Sequence, residues 1–132
     1  MKILVIGSGG REHALCHALG RTSGRRVELY CAPGNDAIGD FARCVPASAT
    51  DVAALAAFAE TERIALTIVG GEAPLAAGLA DEFERRGLAV AGPRADAAQL
   101  ESSKAFAKEF MARHRIPTAR FRVAASAAEA RE

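Results

Sequence analysis

The sequence predicts an α/β protein with a Rossmann-like open parallel sheet, helices on both of its faces, and the first elements of a second domain. Short apolar runs rich in β-branched residues, such as residues 2–6, stop at glycines, which is typical of strands buried on both faces of a parallel sheet. Segments with helical periodicity alternate with these runs, as in parallel α/β folds. Beyond Gly92 and Pro93 this alternation pauses, which indicates a second domain.

The first predicted unit is a strand, a helix and a second strand. Residues 2–6 form the strand expected at the centre of the sheet, residues 11–22 form the helix, and residues 27–31 form the next strand. Ser23 and Gly24 supply the helix stop signal. The crossover is expected to be right-handed. The predicted buried stripe of this helix consists of Ala14, Leu15, Ala18 and Leu19.

A turn, a helix and a third long strand are predicted next. Residues 32–36 have the composition of a turn, and irregular chain or a short strand follows near residues 43–45. Residues 48–51 resemble a helix start, and the helix that follows from Val52 is predicted to end at about Arg63. Residues 65–69 then form a buried strand.

The following helix has Pro74 in its first turn and ends at Gly87, after two arginines. Its predicted buried face consists of Leu75, Leu79 and Phe83. Residues 88–91 are predicted to form a short strand that ends before Gly92 and Pro93.

The last part of the chain is predicted to contain helices at residues 95–100 and 103–114, a strand at residues 119–124, and a new helix after Ser126. The stripe of the second helix consists of Phe106, Ala107, Phe110 and Met111. A helix of only about six residues is unstable without packing partners, so we expect the chain to continue in the intact protein. The predicted domains are residues 1–92, a linker at 93–101, and the truncated start of a second domain at 102–132.

Composition narrows the classes of function. Seventeen Lys and Arg against sixteen Asp and Glu leave a net charge of +1, which argues against nucleic acid as a partner. No apolar run approaches the ~18 residues of a membrane span, so a cytoplasmic protein without membrane contacts is predicted. The cysteines are odd in number and lack a C-x-x-C pair, which predicts buried or half-buried free thiols at Cys16, Cys31 and Cys44.

The strongest local signal is Gly7-Ser8-Gly9-Gly10-Arg11-Glu12-His13 between a strand and a helix. Free N–H groups at a helix N-terminus bind phosphate or carboxylate, and glycines let a ligand approach the backbone. A dinucleotide fingerprint would place a third glycine at Glu12, whose carboxylate would crowd a pyrophosphate, and an acid at the end of the second strand, where Cys31 and Ala32 stand. A tight turn with close helix packing is the structural alternative.

Further candidates follow at the same predicted edge of the sheet. Glu72 comes after the third long strand, where a carboxylate accepts hydrogen bonds from sugar hydroxyls or stabilises a helix N-terminus. Asn35 lies in the turn after the second strand and is alternatively a left-handed turn residue.

Three basic side chains are further candidates for a ligand or metal site. His13 and His17 have a spacing that can chelate zinc, but no third ligand accompanies them, so no metal site is predicted. Lys104 begins a helix and is a candidate phosphate contact or an ordinary solvated lysine.

Taken together, the motifs resemble the family of phosphoribosylamine–glycine ligases, or glycinamide ribonucleotide synthetases, over essentially the whole chain. The stretches that carry the resemblance are MKILVIGSGGREHAL at residues 1–15, APGN at 32–35, GGEAPL at 70–75, QLESSKAFAKEFMAR at 99–113 and IPT at 116–118. One departure is Gly71, where the family usually has proline.

The resemblance implies an ATP-grasp ligase of purine biosynthesis that joins glycine to 5-phosphoribosylamine through a glycyl phosphate, using ATP and Mg²⁺ or Mn²⁺. Residues 1–92 would be its pre-ATP-grasp domain. Gly9, Gly10, Arg11, Glu12, His13 and Asn35 would hold phosphoribosylamine, Glu72 would face its ribose hydroxyls, and Lys104 would contact ATP.

The same resemblance places the catalytic residues and metal ligands beyond Glu132. It therefore implies no tightly bound cofactor here and no ligation by this piece alone. The alternatives are another ATP-grasp enzyme of purine or carboxylate metabolism and a small dinucleotide-binding module. Self-association through apolar side chains such as Phe106, Phe110 and Met111 is a further prediction.

Overall fold

The structure, a computed structural model, describes residues 1–22 and 27–131. Its sheet has five strands in the order β3-β2-β1-β4-β5, and all neighbouring strands are parallel. The strands are β1 (Lys2–Gly7), β2 (Glu28–Pro33), β3 (Arg43–Cys44), β4 (Leu66–Val69) and β5 (Val90–Ala91). The predicted open parallel sheet is confirmed, with β1 at its centre. The predicted stop signal at Ser23 and Gly24 lies outside the described residues.

Six α-helices accompany the strands in the described ranges. They are α1 (Gly10–Thr22), α2 (Val52–Glu62), α3 (Glu72–Ala76), α4 (Leu79–Arg85), α5 (Ala95–Ser102) and α6 (Lys104–Arg113). Single 3₁₀ turns occur at Ile38–Asp40 and Glu129–Arg131. The helix predicted from Pro74 to Gly87 is therefore two helices. Gly78 separates them with φ +86°, a left-handed conformation that glycine adopts without steric cost.

Two apolar clusters cover the two faces of the sheet. Cys16 of α1 packs on one face with Ile3, Val5, Leu29, Cys31, Ile38 and Ala42. Helices α2 and α4 cover the other face, where the largest buried side chains are Leu4, Ile6, Tyr30, Leu55, Leu79 and Phe83. Since β1 contributes to both clusters, its side chains alternate between two dry faces, as a central parallel strand requires.

The buried stripe of α1 agrees with the prediction in part, since Leu15 and Leu19 are half-buried and pack against the apolar cluster on its side of the sheet. Ala14 and Ala18 are exposed, whereas Glu12 and Cys16 are buried and face the sheet. The predicted stripe contains only apolar residues and does not include Glu12, because a carboxylate is almost never buried without a partner. Glu12 has such a partner in the N–H group of Gly9. The side of α1 that carries Glu12 and Cys16 is therefore the side that faces the sheet.

The cysteines are free, but only two of them are buried. Cys44 is exposed, contrary to the prediction, because β3 is a two-residue edge strand with both residues at the surface. A hydrogen bond with the Cys16 thiol, together with burial, raises the pKa of the Cys31 thiol far above its ordinary value. Thiols of this kind are chemically inert packing groups.

A polar cluster closes the amino edge of the sheet. Lys2 Nζ donates to Glu62 Oε2 at 2.6 Å, and the hydroxyl of the buried Tyr30 donates to Glu28 Oε1 at 2.5 Å. The Lys2 partner lowers the pKa of Glu62, and the hydrogen bond to Glu28, with burial, raises the pKa of Tyr30. The Tyr30 ring also packs edge-on against Phe58.

The chain divides into two compact units, residues 1–98 and residues 99–132. In the described part of the second unit Ala107 is the only buried residue, and Phe106, Phe110 and Met111 are half-buried. The strand predicted at residues 119–124 is wrong, because no neighbouring strand pairs with it among the described residues.

The helix predicted after Ser126 is also absent. Its first hydrogen bonds do form, since Glu129 N–H donates to Ser126 Oγ at 3.3 Å and Ala125 N–H donates to Glu129 Oε2 at 2.8 Å. Only the 3₁₀ turn at Glu129–Arg131 follows them. In the described residues no helix is long and apolar enough to cross a membrane.

Candidate functional site

The candidate site lies at the carboxyl edge of the sheet, where the turns after β2, β1 and β4 lie side by side. The register aligns Gly7 with Pro33 and Ile6 with Val69, so these three strands end at the same level. The order of the strands reverses between β1 and β4. Open α/β sheets bind their ligands outside the carboxyl ends of the strands at such a reversal.

The N-terminus of α1 supplies backbone donors at this edge. The first backbone bond of its helical ladder runs from His13 N–H to Gly9 C=O at 3.0 Å. The N–H groups of Gly10, Arg11 and Glu12 come earlier and have no acceptor within the helix. They are the groups at this site with which the chain can bind an anion, and the helix dipole adds to their attraction.

Glu12 is placed differently from a ligand-facing residue. Its side chain is only 6% exposed, and Oε2 accepts a hydrogen bond from Gly9 N–H at 2.6 Å. A glutamate at the third helical position that bonds back to the N-cap N–H is one half of a capping box. The carboxylate therefore lies under the glycine turn, and the expected crowding of a ligand by Glu12 is not what the structure shows.

Arg11 extends from the same helical turn toward β4. Its guanidinium donates to the Gly70 carbonyl, and the residue is otherwise exposed. The turn after β1 and the turn after β4 are thus joined by side chains of α1. The Arg11 cation stands at the edge where an anionic ligand would approach.

Asn35 fastens the turn after β2 to the glycine turn. Its Nδ2 donates to the Ser8 carbonyl at 2.7 Å, and its Oδ1 accepts from Ile38 N–H at 2.9 Å. Asn35 does not adopt a left-handed conformation, since among the described non-glycine residues only Arg63 and Arg115 have positive φ. One amide hydrogen of Asn35 remains for other contacts.

Glu72 is the first residue of α3 and is exposed at the end of β4. In the part of the chain that the structure describes, its carboxylate has no hydrogen bond or ion pair. Gly71 precedes it as the N-cap residue, with φ −122° and ψ 163°. This φ is well away from the value of about −65° that proline fixes, so the glycine holds Glu72 on an extended backbone that a proline would change.

His13 and His17 do not form a metal site. Both rings pack edge-on against Phe41, at centroid distances of 5.3 and 5.1 Å. Across residues 1–22 and 27–131 no three His, Cys, Asp or Glu side chains lie together in a way that could hold a metal ion. The residues described therefore offer no complete ligand set for the divalent metal that the resemblance implies.

Lys104 belongs to the second unit, where it is the first residue of α6 and is exposed. A pocket of about 330 Å³ lies beside it. The pocket is lined by Lys104, Ala105, Lys108, Phe121, Arg122 and Val123. Lys108 Nζ donates to Thr118 Oγ1 at 2.6 Å, so this second ammonium is already held in place.

The sequence analysis missed Gly70 and Phe41 as parts of this region. A Cβ atom at Gly70 would lie 1.9 Å from Glu12 Oε1, so any larger residue there would displace the Glu12 carboxylate. The G-x-x-E spacing from Gly9 to Glu12 signals the capping half-box, but nothing local in the sequence signals that Gly70 completes the contact. Phe41 carried no signal, since a single aromatic residue in a turn has no periodicity.

Comparison with known proteins identifies the family. Residues 1–101 match the family described as "Phosphoribosylglycinamide synthetase, N domain". The chain belongs to this family.

Relatives of this N-domain family are similar along nearly the whole chain. The chain is 52% identical over 122 residues, 92% of its length, to a phosphoribosylamine–glycine ligase of Caldanaerobacter subterraneus, and covers 29% of that protein. It is 53% identical over 130 residues, 98% of its length, to the same-named protein of Ralstonia nicotianae, and covers 31% of it. The chain thus spans about a third of the length of these relatives.

Solved structures of related folds agree with the N-domain assignment. The crystal structure of phosphoribosylamine–glycine ligase from Thermotoga maritima matches 99% of the chain with a TM-score of 0.68 and 29% identity, and the chain covers 29% of it. N5-carboxyaminoimidazole ribonucleotide synthetase from Thermus thermophilus matches 88% of the chain with a TM-score of 0.65 and 27% identity, and the chain covers 31% of it. A biotin carboxylase domain at 18% identity shares the fold.

Proposed function

We propose that the intact protein is an ATP-dependent ligase that joins glycine to 5-phosphoribosylamine and releases ADP and phosphate. The observation that carries this proposal is the match of residues 1–101 to the synthetase N domain, together with relatives of that name at about half identity. The intact protein would then be a carbon–nitrogen ligase of purine biosynthesis that acts in the cytoplasm.

In the proposed reaction a glycine carboxylate oxygen attacks the γ-phosphorus of ATP, which forms glycyl phosphate and ADP. The amine nitrogen of phosphoribosylamine then attacks the acyl carbon, and phosphate leaves with the electrons of the broken C–O bond. The amine loses a proton as the amide forms. No covalent enzyme nucleophile is needed, so the contribution of this chain is to hold and orient a substrate.

The N-terminal unit is proposed to hold the phosphoribosyl group at its carboxyl edge. The free N–H groups at Gly10, Arg11 and Glu12, with the Arg11 guanidinium, suit a phosphate. Glu72, exposed and unpartnered among the described residues, suits a pair of ribose hydroxyls. Asn35, Gly9 and His13 border the same turns, and Lys104 in the second unit, with its pocket, suits ATP phosphates.

Backbone amide shifts of the isotope-labelled 132-residue chain test this assignment. We expect ribose 5-phosphate to shift resonances of residues 7–13, Asn35 and Glu72 saturably, and NAD to leave them in place. Glu72→Gln should weaken binding roughly tenfold, since a hydrogen bond to a charged group is lost. Glu109→Gln, an exposed glutamate of the second unit, is the matched control. Saturable NAD binding at residues 7–13 would instead establish a dinucleotide-binding module.

The chain alone is proposed to be inactive, because one held substrate does not supply an aligned acyl phosphate. Glycine-dependent release of phosphate from ATP by the purified chain, measured with Mg²⁺ and Mn²⁺ in turn, would refute this statement. ATP binding at Lys104 is tested separately by the shifts of residues 103–108 on addition of ATP.

A further inference from the structure

We infer that Glu12 is a positioning residue: its carboxylate ties the glycine turn after β1 to the turn after β4 and so fixes the two sides of the ligand site. This role differs from the substrate contact that the family resemblance implies for Glu12. The link to ligand binding rests on the proposed function, whereas the tie itself is a property of the chain without ligand.

The first part of the tie is the glycine turn. Glu12 Oε2 accepts a hydrogen bond from Gly9 N–H at 2.6 Å, and the residue is only 6% exposed. A buried carboxylate is tolerated only when it is hydrogen-bonded and electrostatically favoured. The position of Glu12 in the first turn of α1 provides the favourable helix dipole.

The second part of the tie is the turn after β4. A Cβ atom at Gly70 would lie 1.9 Å from Glu12 Oε1, and one at Gly7 would lie 2.6 Å from Glu12 Cδ. Both backbones therefore lie directly against the carboxylate. Since Gly7 ends β1 and Gly70 follows β4, a single side chain spans the two strands between which the strand order reverses.

This geometry leaves the carboxylate with no free approach to a ligand. Gly9 N–H is occupied by the Glu12 carboxylate, so the backbone donors of the first turn left for an anion are those of Gly10, Arg11 and Glu12. Arg11 donates to the Gly70 carbonyl from the outer side of the same turn. Two successive residues of α1 thus contact Gly70: the exposed Arg11 donates to its carbonyl, and the buried Glu12 carboxylate lies against its backbone.

Hydrogen exchange and amide shifts of the ligand-free chain test the tie. We expect Glu12→Ala to speed exchange of Gly9 N–H roughly tenfold or more and to shift the Gly70 amide, because a hydrogen bond to a charged acceptor is lost. Glu12→Gln keeps an acceptor oxygen and should recover most of the Gly9 protection. Glu109→Gln, at an exposed glutamate of the second unit, should change neither amide.

A cycle of Glu12→Ala, Gly70→Ala and the double variant tests whether the contacts of Glu12 with Gly9 and with Gly70 depend on each other. In the native background Gly70→Ala displaces the Glu12 carboxylate, so it should speed Gly9 exchange although Gly70 does not bond to Gly9. With Glu12→Ala present, the added methyl meets no carboxylate and should leave Gly9 exchange unchanged. An equal effect of Gly70→Ala in both backgrounds, or unchanged Gly9 and Gly70 amides in Glu12→Ala, overturns the inference. If either alanine variant does not fold, the Gly70 amide in Glu12→Gln decides: the carboxylate that lies against Gly70 becomes a neutral amide, so the Gly70 resonance should shift, and an unshifted resonance contradicts the tie.

Titration with ribose 5-phosphate then connects the tie to the site. Glu12→Ala should weaken binding by about tenfold and Glu12→Gln by less, since the amide restores the turn and not the charge. Failure of the native chain to bind ribose 5-phosphate would count against the proposed function alone, because the exchange measurements need no ligand. If Glu12→Gln and Glu12→Ala weaken ribose 5-phosphate binding equally and leave Gly9 exchange unchanged, the inference is overturned. Glu12 would then contact the substrate directly.

Discussion

Thr67 is a buried residue of β4 whose hydroxyl has no hydrogen-bond partner in the structure. An unpaired buried hydroxyl costs free energy, so Thr67→Val, which replaces it by a methyl of similar size, should raise the free energy of unfolding by about 1 kcal/mol. Urea unfolding measures this gain. Thr50→Val is the control: Thr50 Oγ1 is exposed within 3.1 Å of Ser48 Oγ, and no gain is expected there. A loss of stability in Thr67→Val would show that the hydroxyl is satisfied in solution.

Glu82 is a half-buried carboxylate held by two arginines. Arg85 Nη2 and Arg86 Nε donate to Glu82 Oε1 at 2.7 and 2.6 Å, and these bonds lower the pKa of Glu82 from 4.5 to about 2. The folded-state pKa is depressed, so the stabilisation is present above about pH 4.5 and is lost as the pH falls toward 2. NMR titration of the Glu82 carboxyl should show this midpoint, and Arg85→Gln with Arg86→Gln should raise it. An ordinary midpoint in the native chain would contradict the ion pairs.

At the scale of single elements, the N-cap of α2 is the clearest case of local control. Asp51 Oδ1 accepts from Ala54 N–H at 3.1 Å. Asp51→Ala removes this acceptor and should lower the free energy of unfolding by about 1 kcal/mol, whereas Asp51→Asn keeps it and should change stability little. Denaturant midpoints of the two variants provide the measurement. Equal losses in both would mean that the charge, and not the cap, is what α2 requires.

Gly20 lies inside α1, and its φ is not in the left-handed region. A Cβ there would meet only Leu29 Cδ1 at 3.9 Å, which is ordinary contact. Gly20→Ala should therefore stabilise the chain by about 0.5–1 kcal/mol through helix propensity. Ala18→Gly, at an exposed position of the same helix, should cost a similar amount. A destabilised Gly20→Ala variant would indicate close packing on this face of α1.

Elements with complete local signals were predictable, and those that depend on distant partners were not. The strand β1 and the helix α2 carry their own hydrophobic pattern and stop or cap residues. Residues 119–124 have the composition of a strand but no neighbour to bond with among the described residues. At the site, the glycine turn and Glu72 follow from their position after strands. The inward orientation of Glu12 depends on Gly70, which is brought there only by the pairing of β1 with β4.

At the scale of the whole molecule, stability should reside in residues 1–98. The two apolar clusters on the faces of the sheet lie within this unit, as does a third cluster of Leu75, Ala80 and Ala98. In the described part of the second unit, Ala107 is the only buried residue. A chain of residues 1–98 should unfold cooperatively and keep the amide spectrum of the sheet, with a midpoint close to that of the 132-residue chain. The domain boundary predicted at residue 92 is a competing proposal. Residues 1–92 lack Ala98, which packs on Leu75 and Ala80, and should be less stable.

Tyr30 gives the chain an intrinsic optical probe of folding. The sequence has one tyrosine and no tryptophan, so fluorescence of the protein comes from a single residue in the middle of β2. Its hydroxyl is bonded to Glu28 at the amino edge, away from the turns that form the ligand site. Emission should therefore change when the sheet unfolds and stay constant when ligand binds. The unfolding of every variant discussed above can therefore be followed by Tyr30 emission without an added label.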